Sequence, residues 1–235
     1  MRVYYEDAHA TIYHGATDDV IDQWCGLRTK SFDLLLTDPP YGIGSWSATG
    51  GNSLRADEIA GINAWDVAPD PALLVACINL AKYSIVWGGN YLGSTLGRTR
   101  APLIWDKGIR GMHFADGEMA WTNFDFGTLR IFNMPVGRGD TKGHRLHPTQ
   151  KPEALMLWSL QMAHKASGPV LDPFMGSGTT LVACKRLGRR CVGIERDEKY
   201  CEIAASRLSQ GSLFAEIATP SADTEAPPNV ETMRW

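Results

Sequence analysis

Residues 170–180 are Val170-Leu171-Asp172-Pro173-Phe174-Met175-Gly176-Ser177-Gly178-Thr179-Thr180, an apolar run that leads into a glycine turn and the start of a helix. Gly176 and Gly178 allow a tight bend and a close backbone approach to a ligand. The free N–H groups of the helix start, at Thr179 and Thr180, face the same point. A further strand at 191–195 ends in Glu195, and an acid in that place typically binds ribose hydroxyls. The pattern favours a nucleoside-binding βαβ unit over a plain βαβ unit without a ligand.

A second apolar strand, Phe32 to Leu36, is followed by Thr37-Asp38-Pro39-Pro40-Tyr41-Gly42. Two adjacent prolines end the strand, so the chain must turn at the carboxyl end, where open α/β sheets hold ligands. Asp38 and the backbone carbonyl after it can accept hydrogen bonds from an amino group, and Tyr41 can stack on a flat ring. A nucleobase has both features. The alternative is a turn with a solvated aspartate and a packing tyrosine.

The remaining apolar periodicity predicts strands that alternate with helices, which is typical of an α/β fold. We expect further strands at Thr11–His14, Ser84–Gly88, Pro102–Lys107 and Met119–Asn123, and helices at Asp18–Leu27, Pro71–Lys82, Pro152–Ala166 and Asp197–Leu208. The composition, with 44% hydrophobic and 21% charged residues in 235, fits one globular domain. We expect a domain over 1–209 and a disordered tail over 210–235, which is rich in Ala, Pro, Thr and Glu.

Three motifs together resemble the amino-methyltransferases of DNA, over roughly residues 10–209. Asp38–Tyr41 is similar to the catalytic motif of that family, Asp172–Thr180 to its cofactor motif, and Leu146–Pro152 to a motif before the cofactor strand. Their order is similar to the β-class order. The resemblance implies a Rossmann-like, doubly wound mixed sheet of the class I methyltransferase type. It also implies S-adenosyl-L-methionine as methyl donor and DNA as partner, with a duplex whose target base is flipped out as the expected substrate.

The resemblance further assigns roles to individual residues. The catalytic set is Asp38, Pro39, Pro40 and Tyr41. The cofactor-binding set is Gly15, Ala16, Asp38, Thr149, Gln150, Lys151, Asp172, Phe174, Gly176, Ser177, Gly178, Thr179, Thr180 and Glu195. Ala16 departs from the family, which usually has an acid after this glycine. Thr149, Gln150 and Lys151 precede a helix start, whose positive end favours the methionine carboxylate of the cofactor.

The middle of the chain is basic although the formal net charge is −3. From 98 to 151 there are nine Lys and Arg against five acids, which marks either a phosphate-facing surface or a solvated loop. We expect nucleic-acid contacts from Trp46, Arg130, Arg138, Lys142 and Arg145. Trp46 lies in a long polar loop, 43–66, that we expect to cover the target base.

The segment 127–146 is a minimal target-recognition region, too short to have a core of its own. We therefore expect low sequence specificity, or readout by loops, by a second subunit in a homodimer, or by another protein. No apolar run of about eighteen residues and no apolar signal segment occur, so we expect a cytoplasmic protein, prokaryotic or phage-encoded, without a membrane partner. The five cysteines form no Cys-x-x-Cys pair and no metal site is indicated.

The target base follows from resemblance alone. An Asp before Pro-Pro-Tyr is commoner in adenine-N6 enzymes and a Ser in cytosine-N4 enzymes, so adenine is the first choice and cytosine the second. An RNA or protein-glutamine methyltransferase is a further alternative. The last is a non-catalytic partner that binds cofactor or DNA, which the intact Asp38–Tyr41 and glycine turn disfavour.

Overall fold

The computed structural model describes residues 2–24, 30–44, 66–111, 115–125, 127–135 and 150–217, with side chains up to residue 210. The strands are β1 (Arg2–Glu6), β2 (Ala10–His14), β3 (Phe32–Thr37), β4 (Ala81–Trp87), β5 (Leu103–Asp106), β6 (Gly117–Thr122), β7 (Arg130–Asn133), β8 (Val170–Asp172) and β9 (Cys191–Glu195). The helices are α1 (Thr17–Trp24), α2 (Pro71–Asn79), α3 (Gly93–Leu96), α4 (Glu153–Met162), α5 (Thr179–Arg186) and α6 (Glu198–Ile217).

All the strands join one nine-stranded mixed sheet in the order β1-β2-β9-β8-β3-β4-β6-β5-β7. Five neighbouring strands in this order, β2, β9, β8, β3 and β4, are parallel to one another. Strand β6 runs antiparallel to both β4 and β5, and β1 runs antiparallel to β2. The predicted α/β class with a mixed sheet is therefore confirmed.

Helices cover both faces of the central strands, as the apolar runs of β3 and β8 require. Successive residues of β3 point to opposite faces: Leu34 and Leu36 join the core that contains α4 and α5, and Leu35 joins the core that contains α1 and α2. In β8, Val170 and Leu171 divide in the same way. Because both faces are buried, ligands can reach this part of the sheet only at its strand ends.

The predicted elements are present with shifted ends, and two edge strands were not predicted. Residues of β1 and β7 are mostly exposed or half-exposed, so they show no apolar alternation to detect. Strand β7 lies inside the segment 127–146 that we assigned to target recognition. Helix α6 runs to Ile217, past the predicted end at Leu208 and into the predicted tail.

Within the described ranges, no helix is both long and apolar enough to cross a membrane. The four cysteines found there, Cys77, Cys184, Cys191 and Cys201, are buried and free of disulfide bonds.

Candidate active site

The two motifs meet because β3 and β8 are neighbouring parallel strands, with Leu34 opposite Val170 and Leu35 opposite Leu171. Their carboxyl ends are joined by the Thr37 hydroxyl, which donates to Asp172 Oδ1 over 2.8 Å. Burial raises the pKa of Asp172 to about 6. The strand pairing therefore places Asp38 and the glycine turn at the same edge of the sheet.

Glu195 ends β9, the strand on the other side of β8. Its carboxylate accepts from the Gly176 N–H at 3.0 Å and from the Asp197 N–H at 2.8 Å, while its backbone oxygen accepts from the Gly15 N–H at 3.0 Å. Burial raises the pKa of Glu195. Gly15, Gly176 and Glu195, three of the predicted cofactor residues, therefore surround one point at the strand ends.

The hydroxyls of the glycine turn and of the helix start after it are in contact with other protein groups. Arg207 Nη1 donates to the Ser177 backbone oxygen at 2.6 Å and approaches Ser177 Oγ at 3.4 Å and Thr179 Oγ1 at 3.2 Å. Thr180 Oγ1 lies 3.7 Å from Met156 Sδ. Ser177 and Thr179 are thus tied to α6, while Thr180 contacts Met156 of α4 and also bonds Asp172 at the end of β8.

Asp38 is held through both of its carboxylate oxygens. The Tyr41 hydroxyl donates to Oδ1 over 2.5 Å, and Lys151 Nζ donates to Oδ2 over 2.7 Å. Burial raises the pKa of Asp38, and the Lys151 ammonium opposes that rise. Burial and the Asp38 carboxylate both raise the pKa of Tyr41, so its hydroxyl remains a donor.

Lys151 is placed differently from the sequence expectation. We expected its ammonium to face a cofactor carboxylate, but it lies between Asp38 and Glu118, 3.0 Å from Glu118 Oε2. The chain places these two acids at the carboxyl end of β3 and in β6, and both attract the buried cation. Of its predicted companions, Gln150 is described next to it and Thr149 lies outside the described residues.

Glu118 and Lys107 belong to the same site, although no sequence motif pointed to them. Lys107 Nζ lies 2.6 Å from Glu118 Oε1. Burial raises the pKa of Glu118, but Lys151 and Lys107 outweigh it and hold the value at about 2. Lys107 follows the last residue of β5, and Glu118 lies in β6, which pairs with β5 in antiparallel so that Trp105 is opposite Glu118. Only this tertiary pairing brings them together.

The Tyr41 ring is enclosed. Its face stacks on Tyr91, with centroids 5.1 Å apart and planes at 24°. Gly88, which has φ +76°, lies against the ring so closely that an added Cβ would be 2.0 Å from Tyr41 Cε1. Tyr91 is 41% exposed and therefore lies between the Tyr41 ring and solvent.

Asp66 fixes the backbone of the catalytic turn. Its Oδ1 accepts from the N–H groups of Tyr41 at 3.0 Å and Gly42 at 2.9 Å, and its Oδ2 accepts from those of Ile43 and Gly44, both at 3.1 Å. Four consecutive donors on one carboxylate form a nest, a concave anion site made of backbone N–H groups. Asp66 was not predicted, because it lies far along the chain from the turn.

The predicted nucleic-acid residues are mostly outside the described part of the chain. Trp46, Arg138, Lys142 and Arg145 fall there, and so does most of the loop 43–66. Arg130 is described: it is exposed at the start of β7, at the edge of the sheet. The structure therefore brings together the catalytic and cofactor motifs, and leaves the DNA surface a prediction.

A comparison with known protein families shows the family of this chain. A family model described as DNA methylase, N6_N4_Mtase, matches residues 77–206. The chain belongs to this family. It is therefore a DNA amino-methyltransferase of the N6 or N4 type.

Among curated relatives of this DNA methylase, the type II methyltransferase M.HinfI of Haemophilus influenzae is 28% identical, over 89% of this chain and 71% of that protein. The type II methyltransferase M2.LlaDCHI of Lactococcus lactis subsp. cremoris is 25% identical, over 91% of this chain and 94% of that protein.

Solved structures share the fold of the DNA methylase. The complex of M1.HpyAVI with SAM superposes with a TM-score of 0.57 at 22% identity, over 85% of this chain and 98% of that one. The cytosine-N4-specific PvuII DNA methyltransferase superposes with a TM-score of 0.60 at 13% identity, over 88% of each chain.

Proposed function

We propose that this DNA methylase transfers a methyl group from S-adenosyl-L-methionine to the N6 amine of adenine in duplex DNA, and that Asp38 is the residue that engages the amine. One observation carries the proposal: a partly exposed carboxylate, paired with Lys151, stands at the end of β3 beside the cofactor-type turn of β8. The ends of β3 and β9 are two strand spacings apart, roughly 10 Å, which suits two ligands at one edge.

The residues at the β9 end fit the cofactor. The carboxylate of Glu195 accepts hydrogen bonds from backbone N–H groups and still has lone pairs for ribose hydroxyls. Binding the ribose is the usual role of an acid at this position. Gly176, with φ +51°, lets the turn approach the ligand. When bound, S-adenosylmethionine supplies an electrophilic methyl group on a sulfonium. Gly15, Gly176 and Glu195 would hold it beside β8.

Asp38 performs the activation in this proposal. An exocyclic amine is a poor nucleophile because its lone pair is delocalised into the ring. Asp38 accepts one N–H, and the Pro39 carbonyl accepts the other, which favours a tetrahedral nitrogen with a free lone pair. With the nitrogen held in line with the methyl carbon, the N–C bond would form as the S–C bond breaks, S-adenosylhomocysteine would leave, and the methylated amine would lose one proton to solvent. This positioning supplies much of the rate. A duplex base must first leave the stack, at a cost of a few kcal/mol.

The aromatic pair at the entrance receives the base. Tyr41 is stacked on Tyr91 and cannot offer that face while the pair persists. An incoming base would take the place of Tyr91 on the Tyr41 ring. That position lies beside the Tyr41 hydroxyl and therefore beside Asp38, to which the hydroxyl is bonded.

Cytosine N4 is the second candidate. The fold shared with the cytosine-N4-specific PvuII enzyme supports it, while the Asp before Pro-Pro-Tyr favours adenine. Both bases present an amine beside a ring nitrogen, so the same residues suit either.

Nucleoside mass spectrometry separates the candidates. Duplex DNA is incubated with the protein and isotope-labelled S-adenosylmethionine, then digested, with RNA and protein substrates in parallel. Label in N6-methyladenine is the expected result, and label in N4-methylcytosine corrects the base. Label in RNA or protein alone contradicts the DNA substrate. Absence of label while the cofactor binds indicates a non-catalytic protein. Mapping the labelled sites then tests the expected low sequence specificity.

A further inference from the structure

Four charged side chains form a chain of alternating sign behind the catalytic turn: Asp38, Lys151, Glu118 and Lys107. The links are 2.7 Å from Asp38 to Lys151, 3.0 Å from Lys151 to Glu118 and 2.6 Å from Glu118 to Lys107. We call these four residues the charge chain. Its two carboxylates and two ammonium groups come from the end of β3, from β6 and the residue after β5, and from the segment before α4.

Asp38 is the most exposed member of the charge chain and Lys151 the most buried. The side chain of Asp38 is 24% exposed, against 8% for Lys151, 15% for Glu118 and 16% for Lys107. Asp38 is thus the member that a substrate can reach, and Lys151 lies behind it. Burying an ion pair seldom stabilises a fold more than well-packed apolar residues would, so stability alone does not account for the arrangement.

We propose that Lys151 is a positioning residue that keeps Asp38 in its carboxylate form and fixes one of its oxygens, and that Glu118 in turn holds Lys151 in place. The inference rests on the proposed function, in which Asp38 accepts an N–H from the target amine.

The surroundings of Asp38 explain why a cation is needed there. The charged and titratable groups that face it are Tyr41 on its own turn, Tyr91 stacked on Tyr41, Asp172 at the end of β8, Glu118 from β6 and Lys151. Asp172 and Glu118 are acids that disfavour a second negative charge. Among the described residues, Lys151 is the one cation in contact with Asp38. A protonated Asp38 would carry a hydrogen on one oxygen and lose acceptor capacity.

Glu118 has opposite effects depending on whether Lys151 is present. With Lys151 in place, Glu118 binds the ammonium and keeps it directed at Asp38. Without Lys151, Glu118 keeps Lys107 on its other oxygen, but it is a like charge close to Asp38 with no cation between them, and it favours protonation of Asp38. Removing Glu118 should therefore impair the enzyme that has Lys151 and improve the enzyme that lacks it.

The test is a cycle of Lys151→Met, Glu118→Gln and the double variant, with kcat and KM for duplex DNA measured between about pH 5 and pH 9. Lys151→Met should raise the pKa of Asp38 and so move the acidic limb of the kcat profile to higher pH. At a pH below that pKa, each unit by which it rises lowers the ionised fraction of Asp38 about tenfold. Glu118→Gln alone should lower kcat, and when combined with Lys151→Met it should move the limb back. Lys151→Arg should restore part of the activity.

Cofactor affinity distinguishes this role from the one expected from sequence. If Lys151 binds the methionine carboxylate, Lys151→Met weakens S-adenosylmethionine binding measured by calorimetry. We expect an unchanged affinity. Lys185→Met is the matched control, since Lys185 forms another half-buried ion pair, with Asp7, at the far end of α5. It should leave the pH profile in place.

A separate measurement covers the case in which the wild-type protein methylates nothing. The Asp38 carboxylate can be titrated directly by carbon NMR, with Asp38→Asn to assign the signal. A higher pKa in Lys151→Met supports the inference even if the proposed function fails. Identical titration and identical pH profiles in wild type and Lys151→Met would overturn it.

Discussion

At the scale of single residues, the site depends on how little space surrounds Tyr41. Gly88 lies against its ring, Tyr91 stacks on the ring, and the hydroxyl is bonded to Asp38. Ring and carboxylate are therefore positioned as one unit. Any side chain at position 88 would have to push Tyr41 away, and Asp38 would lose a donor.

We predict that Gly88→Ala lowers kcat at least about tenfold, because small displacements of positioning groups have large kinetic effects. Gly188→Ala is the control. Gly188 also has a positive φ, +64°, but nothing lies within 4 Å of an added Cβ. Both variants incur about 1 kcal/mol of backbone strain or more. Equal methyl-transfer rates in the two would show that the Tyr41 contact is irrelevant.

Asp172 gives a prediction for stability. Burial raises its pKa from 3.8 to about 6 in the folded protein, so the folded state binds the proton more tightly than the unfolded state. Its contribution to stability is fully present below about pH 4 and is lost as the pH rises through about 6. Asp172→Asn keeps the acceptor for Thr37 and removes this titration.

The free energy of unfolding of Asp172→Asn relative to wild type should therefore increase by about 3 kcal/mol from about pH 4 to pH 7. Denaturant unfolding at a series of pH values measures it. A difference between the two proteins that does not change with pH would refute the assignment of the raised pKa.

At the scale of elements, the catalytic turn is tied to a distant part of the chain. Asp66, only 9% exposed, accepts all four N–H groups of residues 41–44. Gly42 and Gly44 take positive φ angles of +67° and +51°, which allow the donors to converge. The turn therefore owes its shape to a carboxylate at the far end of the long loop.

We predict that Asp66→Ala lowers kcat by up to about a hundredfold while S-adenosylmethionine binding is retained, since the glycine turn of β8 does not involve Asp66. Asp70→Ala is the control: Asp70 also accepts a backbone N–H, from Ala72 at 2.7 Å, but it only caps α2. Steady-state kinetics and calorimetry report the two effects. Wild-type kcat in Asp66→Ala would mean that the turn holds its shape alone.

At this scale, the parts of the site that the sequence predicts can also be separated from those that it does not. The motifs at 37–42, 170–180 and 191–195 are local patterns, and parallel strand pairing places their ends together, so the edge of the sheet was foreseeable. Lys107, Glu118 and Asp66 are single charged residues whose partners come from other segments, and no local pattern marks them. For Lys151 the sequence predicts contact with the cofactor carboxylate, whereas the anions that it contacts in the structure are Asp38 and Glu118.

At the scale of the whole molecule, the basic middle of the chain is the predicted DNA surface. Of the five residues that we expect to contact DNA, Arg130 is the one in the described part of the chain, and it is exposed on edge strand β7. Arg130→Ala should weaken duplex binding equally for all sequences and reduce the salt slope by about 1, because one phosphate contact is lost. Arg2→Ala, at the opposite edge of the sheet, should leave the slope unchanged. Equal slopes in both variants would place DNA elsewhere.

The central claim is that Asp38 activates the target amine, and that the cofactor is held chiefly by Gly15, Gly176 and Glu195 although the resemblance also implies a cofactor contact from Asp38. The most direct measurement is the transfer of a labelled methyl group from S-adenosylmethionine to duplex DNA by wild type and by Asp38→Ala, with cofactor affinity measured on the same samples. We predict label in the DNA with wild type, none with Asp38→Ala, and similar cofactor affinity in both. Undiminished transfer by Asp38→Ala would contradict the account.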